Sequence, residues 1–217
     1  MFITVKMKKC IIVGSVKNDA FKVKEKAPDT LYIAADGGYE QMKGCGISPD
    51  VLLGDFDSLA DKTDFPEKTE IIKYPIEKDD TDTLLAVKEA IKRGCDEITL
   101  YGALGGERFD HSIATLQTLT YAARSGVRIT AVGESGGKPY FVTAVKDSQI
   151  EFPPDYEGTL SVMCADGHCQ GVTVENAKYC TENAVMTPSF PIGVSNSFIK
   201  GKSARISVKK GTLWVFY

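Results

Sequence analysis

The sequence predicts an α/β fold: an open, mainly parallel sheet with flanking helices over residues 1–137, followed by a smaller all-β sandwich or barrel domain over residues 138–217. Short apolar runs alternate with helical patterns in the first part, which is typical of a parallel sheet. These runs are continuously apolar, as expected for strands covered on both faces. After Gly136-Gly137-Lys138-Pro139 the pattern changes to short runs rich in Val, Thr, Ile and Tyr, which indicates an all-β domain.

The elements of the first domain follow from these runs. Apolar residues at helical spacing, each series closed by a glycine, predict helices over residues 81–93 and 112–125. The predicted strands are residues 10–13, 31–35, 51–53, 71–74, 98–101 and 127–132.

Composition limits the classes of function. The 217 residues carry a formal net charge of −3 and no run of lysine and arginine, which argues against a nucleic-acid partner. No stretch approaches the roughly 20 apolar residues of a membrane span. The apolar run near the amino terminus is too short for a signal peptide. Six cysteines lack the spacing of a secreted disulfide framework, so we expect a reducing, cytoplasmic location.

Acidic residues follow the predicted strands at their carboxyl ends. In an open parallel sheet this edge binds ligands, so the sequence gathers at least six carboxylates around one crevice. Crowded carboxylates repel one another, and a hard divalent cation such as magnesium relieves that repulsion. A single aspartate after a strand also serves as a helix cap or turn former, but capping does not explain Asp55 and Asp57 together. The acids are Asp36, Asp55, Asp57, Asp79, Asp80, Asp82 and Asp110.

Glycines in two of the same loops fit a phosphate ligand. Gly37-Gly38 and the loop at residues 102–106 allow backbone N–H groups to approach a phosphate, and Arg108 adds a planar cation. The sequence at residues 133–138 has the wrong spacing for a Walker A motif, and the loop at residues 102–106 is not a dinucleotide-binding fingerprint.

Five motifs resemble the thiamine pyrophosphokinases in order and spacing, and the bacterial members most closely. They are Asp36-Gly37-Gly38, Gly54-Asp55-Phe56-Asp57-Ser58, Lys78-Asp79-Asp80-Thr81-Asp82, Gly105-Gly106-Glu107-Arg108-Phe109-Asp110-His111 and Gly193-Val194-Ser195-Asn196. The resemblance implies transfer of the diphosphate of ATP to the hydroxyl of thiamine. It also implies a homodimer in which the α/β domain of one subunit and the β domain of its partner share each thiamine site.

The resemblance also implies roles for residues. Asp55, Asp57 and Asp82 match magnesium ligands, and these three with Asp79 and Arg108 form the expected catalytic set. The expected thiamine contacts are Ser195, Asn196 and Tyr179, the last of which stands where some relatives have tryptophan. Many relatives also have an acid or amide where this chain has Ser197. The expected ATP contacts are Asp36, Gly37, Gly38, Ser58, Lys78, Gly105, Arg108, Asp110 and His111.

Several alternatives stay open. Asp79 and Asp82 are both candidate bases for the thiamine hydroxyl, and His111 is either catalytic or a helix-opening residue. Cys164, His168 and Cys169 have poor ligand spacing for zinc, so turn residues are the simpler interpretation. The D-x-D form of residues 55–57 also occurs in metal-dependent nucleotide-sugar transferases, and a nucleotide-sensing module without turnover is a third possibility.

Overall fold

The structure, a computed structural model, describes residues 8–56 and 65–217. The predicted site residues Asp57 and Ser58 lie outside the described residues. Over the described residues the chain forms fourteen strands and three helices. Up to residue 135 these are β1 (Lys9–Val13), β2 (Thr30–Ala35), α1 (Gly38–Gly44), β3 (Val51–Gly54), β4 (Glu70–Lys73), α2 (Asp82–Lys92), β5 (Glu97–Tyr101), α3 (Phe109–Arg124) and β6 (Arg128–Ser135). They are followed by β7 (Lys138–Lys146), β8 (Gln149–Phe152), β9 (Thr159–Cys164), β10 (Cys169–Glu175), β11 (Thr181–Met186), β12 (Asn196–Ser197), β13 (Ala204–Ser207) and β14 (Thr212–Phe216).

The chain divides into two compact units. The first unit comprises Met1–Thr118 and Ile129–Pro139, and the second comprises Leu119–Arg128 and Tyr140–Tyr217. None of the helices among the described residues is both long and apolar enough to cross a membrane.

The first unit is built on a sheet with the strand order β6-β5-β1-β2-β3-β4. β1 pairs in parallel with β2 and β5, while β3 pairs in parallel with β2 and β4, which confirms the predicted parallel sheet. The chain runs outward from β1 to β4 and returns through α2 to β5 on the other side of β1. The chain therefore leaves β1 toward one edge of the sheet and leaves β5 toward the other edge. Such a reversal of strand order opens a crevice between the two loops, at the carboxyl ends of the strands.

Most residues of the central strands β1, β2 and β3 are buried, and β3 is buried at every residue, which explains the continuous apolar sequence of these strands. Ile12, Ile33, Leu52 and Leu53 have no exposed surface, and successive residues of a strand point to opposite faces. Both faces of the sheet are therefore covered.

The three helices differ in how they begin, and α2 begins at a residue whose side chain caps it. The Thr81 hydroxyl accepts a hydrogen bond from the Leu84 amide at 3.2 Å, so Thr81 is the N-cap of α2. This start agrees with the helix predicted over residues 81–93. α3 begins at Phe109, before the predicted start at residue 112. Asp110 and His111 therefore lie in its first turn. α1 was not predicted, since its seven residues are too few to carry a periodic pattern.

The second unit contains two sets of antiparallel strands. Their orders are β12-β9-β14-β7 and β11-β10-β13-β8. One buried apolar cluster takes side chains from both sets, among them Val162, Val174, Ile206 and Leu213. The part after residue 137, predicted to be all-β, contains only strands as regular elements, β7 to β14, and they pair in antiparallel fashion within the two sets.

The last turns of α3 belong to the second unit by their contacts. The indole Nε1 of Trp214 in β14 donates a hydrogen bond to the Thr120 hydroxyl at 2.9 Å. Thr120 is buried, so this bond satisfies a polar group that would otherwise lie in an apolar contact.

Gly38 tests how closely α1 must approach β1. A Cβ atom at Gly38 would lie 1.9 Å from the Val13 carbonyl oxygen, so a Gly38→Ala substitution must push α1 away from the sheet. We expect a loss of about 2–3 kcal/mol in the free energy of unfolding, measured by chemical denaturation. Gly44→Ala is the matched control in the same helix, because nothing lies within 4 Å of its Cβ position. Equal stability of the two variants would contradict the close approach.

Candidate active site

A cleft of about 700 Å³ opens at the carboxyl ends of the parallel strands, within the first unit. Its walls come from the loops after β1, β2, β3 and β5, from the segment before α2 and from the start of α3. Of the predicted site residues it brings together Asp36, Asp55, Lys78, Asp79, Asp82, Gly105, Arg108 and His111. Gly37, Gly38 and Asp110 do not line the cleft, although Gly37 follows the lining residue Asp36 and Asp110 precedes the lining residue His111.

Gln41 holds the loop that follows β1. Its side-chain amide donates hydrogen bonds to the carbonyl oxygens of Gly14 (2.6 Å) and Val16 (2.9 Å), and its Oε1 accepts one from the Asn18 amide (2.9 Å). Asn18 in turn donates to the Val132 carbonyl at 2.6 Å. One side chain of α1 therefore satisfies three backbone groups of a loop that has no strand or helix of its own. The sequence analysis missed Gln41, because a lone glutamine carries no motif.

Asp36 lies at the end of β2 with a positive φ of 47° and is largely buried. The Ser15 hydroxyl donates to its Oδ2 at 3.4 Å and accepts a hydrogen bond from the Gly37 amide at 3.1 Å. Ser15 was also not predicted, yet it links the first two loops. The contact between Gly38 and β1 gives that glycine a packing role, independent of any phosphate.

Lys78 bridges two of the predicted metal ligands. Its Nζ lies 3.2 Å from Asp55 Oδ2 and 3.0 Å from Asp82 Oδ1. Burial lowers the pKa of Lys78, but the hydrogen bonds to Asp82 and Asp55 outweigh burial, so the pKa lies above its ordinary value. Lys78 therefore keeps its positive charge between the two carboxylates.

The other acids of the segment before α2 differ in their surroundings. Asp80 pairs with Lys88, nearly two turns into α2, at 2.5 Å. Asp79 lines the cleft together with Thr81 and Thr83. Because Asp79 and Asp80 precede the amino terminus of α2, the helix dipole favours their negative charge.

The loop after β5 forms the opposite wall. Gly102 has a φ of 64°, and a Cβ there would lie 2.5 Å from the Gly14 carbonyl oxygen. Thr115 of α3 donates to the Ala103 carbonyl at 2.7 Å, and Ser112 accepts a hydrogen bond from the Gly105 amide at 3.0 Å. Side chains of α3 thus fix the glycine loop from below.

Arg108, Asp110 and His111 lie at the mouth of the cleft. The Arg108 guanidinium donates to Asp110 Oδ2 at 2.7 Å, and both side chains are about two-thirds exposed. The hydrogen bond from Arg108 lowers the pKa of Asp110 below its ordinary value. The exposure of the pair leaves the guanidinium able to reach another anion.

The three predicted thiamine contacts lie in the second unit, beside a separate cavity of about 270 Å³. Asn196 is buried: its Oδ1 accepts from the Tyr179 amide at 2.9 Å, and its Nδ2 donates to the Tyr179 carbonyl at 2.7 Å. Ser195 has a φ of 64°, and its amide donates to the Ser161 hydroxyl. The Tyr179 ring is 62% exposed. Asn196 therefore holds the backbone that presents Tyr179.

The donor chemistry of the cleft fits a divalent cation. Of the described residues that line it, six are acidic and three are lysine or arginine, so an anionic ligand needs additional positive charge. The Lys78 ammonium occupies the place of a metal cation between Asp55 and Asp82. No group of three or more ligating residues is assembled among the described residues, at the cleft or around Cys164, His168 and Cys169.

Two family models match the chain. The model for "Thiamin pyrophosphokinase, catalytic domain" matches residues 24–131, and the model for "Thiamin pyrophosphokinase, vitamin B1 binding domain" matches residues 147–213. The chain belongs to the thiamine pyrophosphokinase family. The catalytic-domain match includes most of the lining of the acidic cleft, and the second match includes Tyr179 and Asn196.

Individual relatives agree with this membership. The thiamine pyrophosphokinase of Bacillus subtilis (strain 168) is 27% identical over 191 residues, which cover 85% of each chain. A crystal structure of thiamine pyrophosphokinase from Bacillus subtilis matches with a TM-score of 0.80 at 22% identity, covering 96% of this chain and 98% of that chain. A thiamin pyrophosphokinase family protein from Enterococcus faecalis matches with a TM-score of 0.73 at 26% identity, covering 96% and 97%.

The known activity of the thiamine pyrophosphokinase family is the transfer of diphosphate from ATP to thiamine. The chain is accordingly a thiamine diphosphokinase, and thiamine and ATP are its substrates. The predicted enzyme class is confirmed.

Gln41 provides a test of how the cleft is held in shape. Gln41→Glu keeps the size of the side chain but replaces the amide donor with an anion that repels the carbonyl groups of Gly14 and Val16. We expect about tenfold weaker ATP binding by calorimetry and a loss of about 2 kcal/mol in stability, because backbone acceptors lose their donor. Glu40→Ala, at an exposed position of the same helix, should change neither quantity. Unchanged ATP affinity in Gln41→Glu would show that Gln41 does not hold the cleft in its binding shape.

Proposed function

We propose that this thiamine diphosphokinase depends on magnesium, binds ATP in the cleft of the first unit, and completes each site with the thiamine-binding surface of a partner subunit. The observation that carries the proposal is the single cation held between Asp55 and Asp82 in a cleft with an excess of acids. Carboxylate oxygens that hold an ammonium group are also ligands that magnesium prefers.

Asp55 and Asp82, together with Asp57, would hold the magnesium ion. When bound, the ion neutralises phosphate oxygens of ATP and supports their in-line arrangement. The acidic set argues against a nucleotide-sensing module, because binding alone would not require so many negative charges beside a triphosphate. A nucleotide-sugar transferase would account for the D-x-D sequence but not for the segment before α2 or for the family match.

The other residues of the cleft bind and orient the nucleotide. Lys78 and the glycine loop that contains Gly105 suit phosphate oxygens, because glycine lets the backbone approach a phosphate closely, while Asp36 and His111 suit polar groups of the nucleoside. Arg108, which is exposed and paired only at the surface with Asp110, suits the α-phosphate that leaves as AMP.

The reaction forms one bond and breaks one bond. The thiamine hydroxyl oxygen attacks the β-phosphorus, the bond from that phosphorus to the α-phosphate oxygen breaks, and AMP leaves with the bonding electron pair. The hydroxyl proton passes to a carboxylate, Asp79 or Asp82, both of which line the cleft. Because the transition state of phosphoryl transfer is loose, positioning contributes more than the base.

Tyr179 is the proposed contact for the thiamine ring. Its exposed ring borders the cavity of the second unit beside Ile192 and Val194, and an aromatic face suits a cationic thiazolium. Asn196 positions Tyr179 through its two backbone hydrogen bonds, and Ser195 supplies a hydroxyl at the rim. The two sets of strands share one apolar cluster, which supports a sandwich arrangement for this thiamine-binding part.

A homodimer and a cytoplasmic location complete the proposal. Phe190, Ile192 and Val194 are each 48% or more exposed, and exposed apolar groups of this kind are common at subunit interfaces. All six cysteines are free thiols, which agrees with a reducing compartment.

The products test the metal-dependent reaction. Incubation with ATP, thiamine and magnesium should give AMP and thiamine diphosphate in equal amounts, separated and quantified by chromatography. Chelation of the divalent cation should abolish both products together, because the acid-rich cleft alone does not neutralise the triphosphate. ADP and thiamine monophosphate as sole products would contradict the proposed transfer, and full turnover without a divalent cation would contradict the metal site.

Subunit mixing tests the shared site. Asp55→Asn damages the ATP cleft and Asn196→Ala damages the thiamine surface, so each homodimer should be inactive. After exchange at equal concentrations, half of the dimers carry both variants, and each of these has one intact shared site. About a quarter of wild-type activity should therefore return. Each variant mixed with itself is the control. Complete inactivity of the mixture, with exchange demonstrated by native mass spectrometry, would show that each site lies within one subunit.

A further inference from the structure

Lys78 differs from the other lysines of the described chain in how completely acids enclose it. Its side chain is 13% exposed, whereas every other lysine in an ion pair among the described residues is at least 35% exposed. It also contacts two carboxylates, one from the end of β3 and one from the start of α2. This cation is therefore placed at the meeting point of the two acidic segments of the cleft.

The ammonium group and a divalent cation cannot both occupy the position between these carboxylates. Nζ lies 3.0 Å and 3.2 Å from oxygens of Asp82 and Asp55. A magnesium ion approaches its ligand oxygens to about 2.0–2.1 Å and keeps its other positions filled with water or phosphate oxygens. A metal that binds these two oxygens, Asp55 Oδ2 and Asp82 Oδ1, must occupy the space of the ammonium group.

Lys78 can leave without disturbing an element of the fold. It lies between β4 and α2, in a segment that belongs to neither a strand nor a helix. The segment lines the cleft, so a side chain released from the two acids remains beside the proposed phosphate position. Four methylene groups separate its charge from the backbone, which allows a new orientation at little cost.

We propose that Lys78 is an internal counter-cation that the metal displaces, and that the displaced ammonium then binds the phosphates of the nucleotide. This inference rests on the proposed metal site. It makes Lys78 a positioning residue that couples two ligands: metal alone must expel a bound cation, whereas metal with nucleotide gives that cation new anionic partners. The metal and ATP should therefore bind as one complex far more readily than the metal by itself.

Calorimetric titration with manganese chloride, without nucleotide, tests the displacement. Lys78→Met should bind the metal at least about tenfold more tightly than the wild type, since no ammonium has to leave. Lys88→Met is the matched control: it removes the same charge from a lysine paired with Asp80 beside the same cleft, and its metal affinity should stay within about twofold of wild type. Without metal, Lys78→Met should melt at a lower temperature than wild type, because Asp55 and Asp82 then lose the ammonium group that lies between them.

Two results would overturn the proposal. Equal metal affinity in the wild type and Lys78→Met would show that no displacement occurs, and an equal gain in Lys88→Met would show only a general effect of charge. Absence of metal binding in every protein would overturn the metal site as well, and the assay of AMP formation shows independently whether the reaction takes place.

A measurement on the wild-type protein removes dependence on the folding of a variant. In a magnesium titration followed by NMR, the Cε methylene signal of Lys78 should shift with the midpoint that calorimetry gives for magnesium, while that of Lys88 stays in place. Lys78→Gln identifies the signal. A Lys78 signal that does not move at saturating metal would contradict displacement even if Lys78→Met does not fold.

Discussion

The backbones of Gly14 and Gly102 touch at the base of the cleft, and the rest of the site depends on this contact. The Gly14 amide donates to the Tyr101 carbonyl at 2.8 Å, and the Val16 amide donates to the Gly102 carbonyl at 2.9 Å. The pairing of β1 with β5 thus continues past the end of both strands. A side chain at either glycine would place a Cβ 2.5 Å from the carbonyl oxygen of the other. Only glycine permits the two loops to lie together and leave their outer surfaces to a ligand.

The cleft combines a rigid floor with a charged rim. The floor is held by backbone bonds and by Gln41, Thr115 and Ser112, whose polar groups are satisfied within the protein. The rim carries acids from four different strand ends, and such a concentration of like charge is unfavourable unless a cation is present. Lys78 supplies that cation in the structure. Because Lys78 balances the negative charges of Asp55 and Asp82, the site can keep both carboxylates for its function.

Much of the first unit could be predicted from sequence because its signals are local. The buried strands read as apolar runs, and the acids follow them directly, so topology alone brings Asp36, Asp55 and Asp82 to one edge. Gln41 and Ser15 could not be found this way, because their partners lie about 20 residues or more away in the sequence and nothing local marks them. The same holds for Lys78, whose motif suggested an ATP contact while its position between two acids depends on tertiary structure. Asn196 was expected at thiamine, but its buried amide is engaged with the backbone of Tyr179, a pairing that sequence spacing does not indicate.

The hydrogen bond between Trp214 and Thr120 determines what an optical experiment on this protein would observe. Trp214 is the one tryptophan in the sequence, and both residues of the bond belong to the second unit. Intrinsic fluorescence excited at the indole band therefore reports the environment of β14 and the last turns of α3. An unfolding curve recorded by this signal follows the second unit, and loss of the nucleotide cleft at lower denaturant would pass unseen. A separate probe in the first unit, such as a labelled cysteine at position 45, would be needed to see whether the two units unfold together.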